Sequence, residues 1–216
     1  VNLAQLVINF LTLSAYYSLF SVGLALIFGV MKIVNFAHGE FFMLGGYSIW
    51  LLLVAFSGLP LWLIFIAALI VGPIFVAIVG VVVEWLIFEP TKDDTFAGFM
   101  ASLGLSYVLQ AVVALSLGVV SKSLPIVVPG QIEIAGGAFT YQRLLVVVAA
   151  IVLMFCLWYF LGRTRHGRAV RAASQNRSAA LLQGINLRHT AMLTMAIGAA
   201  LAGVAGVLMA SVINIG

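Results

Sequence analysis

Charged side chains are scarce in this sequence: 10 Lys and Arg and 6 Asp and Glu among 216 residues, or 7%. Soluble globular domains carry roughly 25%, so the composition excludes one. With 64% of residues hydrophobic and a mean hydropathy of +1.25, the chain reads as an integral membrane protein. Cysteine is almost missing too. The single Cys156 lies in an apolar segment, which rules out an intrachain disulfide and leaves it as a small core hydrophobe. No stretch alternates polar with apolar over about ten residues, the pattern of transmembrane β-barrel strands. The first thirty residues lack a positive leading region, and their apolar run is too long for a signal peptide. Because it begins at Val1 rather than Met, the chain is expected to lack a few residues at its start.

What is present are six apolar segments, near 6–30, 41–56, 61–83, 96–120, 141–161 and 190–213. A helical span needs about 20 residues at 1.5 Å each, so the expectation is an all-α, polytopic transmembrane bundle of about six spans. Ser57-Gly58-Leu59-Pro60 separates the second and third segments, and Pro125 with Pro129-Gly130 separates the fourth and fifth. Gly72-Pro73 falls inside the third, where a kink is expected. The second segment would rise only about 24 Å as a helix, short for a hydrocarbon core of about 30 Å.

The net charge of +4 might point to nucleic acid, but the arginines follow membrane topology instead. Arg163, Arg165, Arg168, Arg171, Arg177 and Arg188 all fall between the fifth and sixth segments. By the positive-inside rule the 162–189 loop is cytoplasmic. The 121–143 connection holds only Lys122 and Arg143, offset by Glu133. Counting back puts the acidic stretch 84–94 inside, and 57–60, 121–140 and the N-terminus outside, provided 31–40 turns once. Trp62 and Trp85, about 35 Å apart along a helix, suit anchors at opposite interfaces. Small residues recur at helical spacing: Ser21, Ala25 and Gly29 in the first segment, and Gly198, Ala202, Gly206 and Ala210 in the sixth. Such stripes let helices approach closely in lipid, either within one subunit or between subunits.

Two polar constellations stand out. The first is the run from Lys32 to Glu40, with Asn35, His38 and Gly39, lying between two segments without charge (1–31 and 41–83). Ionisable groups near lipid are functional hypotheses by default. If this run breaks a discontinuous helix near 31–41, the free N–H groups starting at Glu40 and Phe41 would face the break. Transporters use such half-helix ends to hold a substrate carboxylate. Asn35 and His38 could add neutral hydrogen bonds, Gly39 a close backbone approach, and Lys32 a partner for Glu40. Three readings stay open: a substrate path (Asn35, His38, Gly39, Glu40), a solvated surface loop, and a metal or acid–base site built on His38 and Glu40. For the last, two ligands are too few and no nucleophile accompanies them. The second constellation is the basic loop. From 168 to 183 its residues are good helix formers without a breaker, and Gly184 suits the position past a helix end. A short helix lies outside the bilayer there, either for an Ala-rich docking surface or as a basic amphipathic helix at the headgroups.

At these two places the chain resembles the permease subunits of branched-chain amino acid ABC importers, the LivH-like family. The carrying residues are the run from Gly29 to Tyr47, with Asn35-Phe36-Ala37-His38-Gly39-Glu40 at its centre. Further on they are Gly167-Arg168-Ala169-Val170-Arg171-Ala172, Ala179-Ala180, Gly184-Ile185-Asn186 and the run from Gly198 to Gly206. The match in order covers nearly all of the chain. The resemblance implies a single transmembrane permease domain over 1–216 with a helix broken around 35–40. It also implies a coupling helix near 171–186 that docks on an ATPase through Arg171, Ala172, Ala173, Ser178, Ala179, Ala180, Gly184, Ile185 and Asn186. Implied partners are a second, related permease subunit, two cytoplasmic ABC ATPase subunits, a periplasmic substrate-binding protein and the lipid bilayer of a bacterial inner membrane. ATP and Mg would sit on the ATPases, with no cofactor and no metal in this chain.

Two departures bear on this. Relatives tend to have acidic residues where Asn176 and Ser178 stand, and they continue past the position of Gly216. The chain is therefore expected to be incomplete at its C-terminal end, with part of the translocation path outside it. The sequence contains no G-x-x-x-x-G-K-[ST] phosphate loop, so the expectation is a transport subunit rather than an enzyme. Nothing in the residues separates branched-chain amino acids from urea, short amides or other small carboxylates. A passive channel and an intramembrane enzyme remain rivals from other classes.

Overall fold

The computed structural model describes residues 2–118, 124–125, 127–134 and 137–212. Val120, Lys122 and Ile213, assigned above to segment ends and the outer loop, lie outside them. Six helices are long and apolar enough to cross a membrane. In chain order these are α1 (Leu3–Met31), α2 (His38–Ala55), α3 (Leu61–Val83), α4 (Thr95–Leu117), α5 (Tyr141–Arg163) and, last in the chain, α8 (Leu187–Ala210). Two short helices, α6 (Arg165–Gln175) and α7 (Arg177–Leu182), lie between α5 and α8, and α3 runs on into a π turn at Glu84–Phe88.

The ends of the helices follow from side chains placed to satisfy orphan N–H groups. Asn2 accepts from Ala4 N, Asp94 from Phe96 N and Ala97 N, and Thr140 from Arg143 N. Trp62 and Trp85 are both exposed, near the two ends of the α3 span.

The last helix is the axis of the bundle. α8 is buried almost continuously from Gly198 to Leu208, with α1, α2 and α3 packed around it. Lipid tails are as apolar as leucine, so close van der Waals packing rather than hydrophobic burial must hold these helices together. Glycines supply it. A Cβ on Gly198 would meet Ile27 and, at 2.8 Å, the Gly23 carbonyl oxygen. One on Gly203 would meet Val76, and one on Gly206 would overlap the Phe42 carbonyl. The α8 stripe Gly198, Ala202, Gly206 and Ala210 is wholly buried. On α1 the face that meets α8 is instead Gly23 and Ile27, while Ser21 and Ala25 are exposed and Gly29 is half-buried against α6. α4 and α5 sit at the rim, with Tyr107, Leu115, Ile151 and Trp158 turned outward.

One element is unforeseen and one expectation fails. The 121–140 connection contains an antiparallel hairpin, β1 (Gln131–Ile134) and β2 (Gly137–Thr140). It is tied down by Ala138 N donating to Gln5 Oε1, and at the start of α5 Arg143 Nη1 donates to Asn9 Oδ1 at 2.7 Å. The helix expected to run unbroken through 168–183 stops at Asn176, whose backbone is extended (φ −153°, ψ 105°) and whose Oδ1 accepts from Ala179 N to start α7. Asparagine is a moderate helix former but a strong N-cap, and here the cap wins.

Candidate functional site

The site is built on the break between α1 and α2. α1 ends at Met31, and Lys32 turns the chain in the left-handed conformation (φ 60°). The next residues do not stay at that end. His38 Nε2 lies 3.0 Å from the carbonyl oxygen of Phe20, which is about 16 Å back along α1 from Met31 at 1.5 Å per residue. On the other side the segment climbs α4. Ile33 packs on Gly98, Phe36 N donates to Ser102 Oγ at 3.2 Å, and Glu40 reaches Ser106 and Gln110. From Gly98 to Gln110 is about 18 Å of helix. The broken segment thus runs from one end of the bundle to its mid-depth, wedged between α1 and α4. The chain turns once, so helix parity is kept.

Buried polar groups hold the break in place. Asn35, 2% exposed, accepts through Oδ1 from Ala37 N at 3.0 Å, and its own carbonyl accepts from His38 N. These bonds close the turn that leads into α2, whose N-cap residue Ala37 has no side-chain cap. Because Nε2 of His38 faces a carbonyl, that nitrogen carries the proton and Nδ1 is an acceptor. Nδ1 has no hydrogen-bond partner among the described residues, and neither has the Nδ2 donor of Asn35. The Phe20 ring lies against the imidazole, with centroids 4.7 Å apart. Glu40 Oε1 accepts from Ser106 Oγ at 2.8 Å and Gln110 Nε2 at 2.7 Å, and it sits in the first turn of α2 where the helix dipole favours a carboxylate.

Several sequence expectations change here. Lys32 does not pair with Glu40; Nζ donates to the Ser174 carbonyl of α6 at 3.1 Å. His38 and Glu40 diverge, one to α1 and the other to α4, so they do not form a joint ligand pair or acid–base couple. Among the described residues no three His, Cys, Asp or Glu side chains come together. Gly39 is exposed, and no atom lies within 4 Å of where its Cβ would be, so no neighbouring protein atom demands a glycine. Ser106 and Gln110 were missed, because serine and glutamine in an apolar helix give no signal until their partner is known.

The basic loop is two helices joined at Asn176. On α6, Val170 and Ala173 pack against Val30 of α1 while Arg165, Arg168 and Arg171 are exposed. Gly167 presses on the Phe160 carbonyl, closing the α5–α6 corner. Ala172 is half-buried, Ala173 and Ala180 are buried, and Ser178, Ala179 and Gly184 (φ 76°) are exposed. Ile185 is half-buried and Asn186 caps α8 through His189 N. The alanine-rich surface is therefore mostly turned inward, and the apolar groups presented outward are Leu181 and Leu182, 56% and 91% exposed. Arg188 Nε lies 3.8 Å from Glu89, so the acidic 84–94 connection and the arginine-rich loop share one end of the bundle. It is the end that the positive-inside rule, applied to the sequence, expects on the cytoplasmic side.

A family profile described as "Branched-chain amino acid transport system / permease component" matches residues 6–216. The high-affinity branched-chain amino acid transport system permease protein BraD of Pseudomonas aeruginosa is 34% identical over 218 residues, 95% of this chain and 70% of that protein. The corresponding LivH of Escherichia coli is 31% identical over 215 residues, with the same coverage. A probable LivH from Methanocaldococcus jannaschii is 28% identical over 88% of this chain and 61% of its own length. No solved structure matches. With its six spanning helices, its broken helix at mid-depth and a family match along almost its whole length, the chain belongs to the branched-chain amino acid transport system permease family, as a multi-pass membrane protein.

Proposed function

We propose that the chain is the permease subunit of an ATP-driven importer for branched-chain amino acids in a bacterial inner membrane. Its substrate would pass the break at Asn35–Glu40. The observation that carries this reading is the pair of unpartnered buried groups at mid-depth, the Asn35 Nδ2 donor and the His38 Nδ1 acceptor. A buried polar atom without a partner costs about 1–3 kcal/mol, and such sites persist where a ligand completes them. A zwitterionic amino acid offers both complements, a carboxylate for the donor and an ammonium for the acceptor.

ATP hydrolysis is assigned to partner subunits, because the sequence has no phosphate loop. Two cytoplasmic ATPases would engage α6 and α7, a second related permease would complete the pore, and a periplasmic binding protein would deliver the substrate. The link from α6 to the break is direct. Movement of α6 pulls on Lys32 through Ser174, and on Val30 through Val170 and Ala173. Displacing the end of α1 shifts the segment that rises to His38.

The test is binding-protein-dependent leucine uptake into proteoliposomes holding the assembled transporter. His38→Ala and Asn35→Ala are each expected to abolish uptake, while the subunits still co-purify. Wild-type uptake rates in both variants would remove these residues from the pathway.

A further inference from the structure

At the arginine-rich end a cavity of about 570 Å³ opens between the end of α1, the π turn, α7 and the start of α8. Its volume falls in the range of about 300–1,000 Å³ usual for small-molecule sites. Glu84 lines it, is 2% exposed, and its Oε2 has no hydrogen-bond partner among the described residues. A buried carboxylate left this way is costly unless something completes it. The residue begins the π turn, whose Glu89 N–H reaches back to the Glu84 carbonyl at 2.8 Å. Such widened turns occur frequently at functional sites.

The remaining lining has a definite polarity. Glu89 is already engaged by Lys92 at 2.9 Å. Arg177 of α7 and Arg188 of α8 also line the cavity and act electrostatically on Glu84. Met31, Ile33 and Phe88 supply buried apolar surface beside them. With Lys92 and Asp93 exposed at its edge, the buried carboxylate of Glu84, the cations Arg177 and Arg188 and the apolar wall match a molecule with an ammonium, a carboxylate and an apolar side chain. Ile33 belongs to the broken segment itself, so the cavity adjoins the path that leads to Asn35 and His38.

We propose that this cavity is a second amino-acid site, on the cytoplasmic side. Glu84 receives the ammonium, Arg177 and Arg188 receive the carboxylate, and Met31, Ile33 and Phe88 receive a branched apolar side chain. The choice of an amino acid rests on the transport reading given above.

Radiolabelled L-leucine binding to the assembled transporter tests this, without ATP or binding protein. Nanodiscs of phosphatidylglycerol alone offer no lipid ammonium to compete for Glu84. Glu84→Gln and Arg188→Ala should each weaken leucine binding at least tenfold. Leucinamide, which lacks the carboxylate, and 4-methylpentanoate, which lacks the ammonium, should compete at least tenfold less well than leucine. Arg188 is an exposed surface side chain, so that variant decides the matter should Glu84→Gln fail to assemble. Wild-type affinity in whichever variants assemble, equal competition by either analogue, or no leucine binding at all would each overturn the proposal. The outcomes separate from the transport reading: uptake with binding indifferent to Glu84 and Arg188 sinks the cavity alone, whereas absent leucine uptake sinks the transport reading.

Discussion

Lys32 Nζ donates to the Ser174 carbonyl at 3.1 Å, tying the first residue after α1 to a helix 142 positions later. Lys32 also holds the left-handed turn (φ 60°) that starts the climb to mid-depth. Two substitutions separate these jobs. Lys32→Gly removes the tether and relieves the roughly 1–2 kcal/mol strain of a side chain at positive φ. Lys32→Met removes the tether and keeps the strain. If the tether transmits motion, both variants should retain basal ATP hydrolysis in the assembled transporter and lose several-fold in leucine moved per ATP. Because the parent carries the same strain, a deficit confined to Lys32→Met would mean that the tether only holds a strained turn in place and transmits no motion.

Glu40 bridges α2 to α4 through Ser106 and Gln110. Hydrogen bonds between helices in membranes contribute about 0.6 kcal/mol on average and about 1.7 at most. Losing both should therefore cost roughly 1–3 kcal/mol, too little to unfold the bundle. Glu40→Ala should assemble with its thermal midpoint lowered by several degrees, since each kcal/mol moves it by about 2–4 °C at this chain length. Its leucine uptake should vanish. Glu40→Gln keeps an acceptor oxygen for Gln110 and should recover most of the thermal loss. A midpoint unchanged in Glu40→Ala would mean that the bridge carries no stability.

The spans and their order were legible because length and apolar composition decide them; α3 begins and ends where the sequence places it. The break was legible from Lys32 to Glu40 because polar residues are so rare nearby. Its depth was not, since nothing local to residues 33–37 says that Phe20 and Gly98 will flank them. The split at Asn176 was missed by weighing helix propensity over the capping power of one side chain. The β1–β2 pair is short, and its partner Gln5 is over a hundred residues away. Which face of α1 lies under α8 was not legible, because small size alone cannot distinguish Gly23, under α8, from Ser21 on the outside.

Packing around α8 predicts opposite outcomes for chemically identical changes. Gly206→Ala would drive a methyl into the Phe42 carbonyl, and Gly203→Ala would set one 3.0 Å from Val76 Cβ. Overpacking of this kind costs about 1–3 kcal/mol or more. Gly162 of α5 faces open space, where alanine gains up to about 1 kcal/mol of helix propensity. Gly206→Ala should lower the yield of folded protein and its thermal midpoint, while Gly162→Ala should match or exceed the parent. Equal midpoints for both would contradict the packing described for α8.

Leu182 is the most exposed large apolar side chain among the described residues, at 91%, with Leu181 beside it at 56%. Both sit at the end of α7, a helix of six residues that exists because Asn176 caps it. If the ATPase engages this pair, its contact is apolar and short, and the surrounding arginines orient the encounter more than they strengthen it. Leu182→Glu should then sharply reduce co-purification of the ATPase without altering the thermal midpoint of the permease, because the side chain has almost nothing to lose on its own chain. Asn176→Ala acts differently. It removes a cap worth about 0.5–2 kcal/mol and lets α6 run on into α7, swinging both leucines away from their present direction. It should reduce ATPase recovery less than Leu182→Glu does. Arg171→Ala, on the exposed face of α6, should change recovery mainly at low salt, where surface charge is least screened. Full ATPase recovery with Leu182→Glu would move the docking surface off α7 and onto the arginine face of α6.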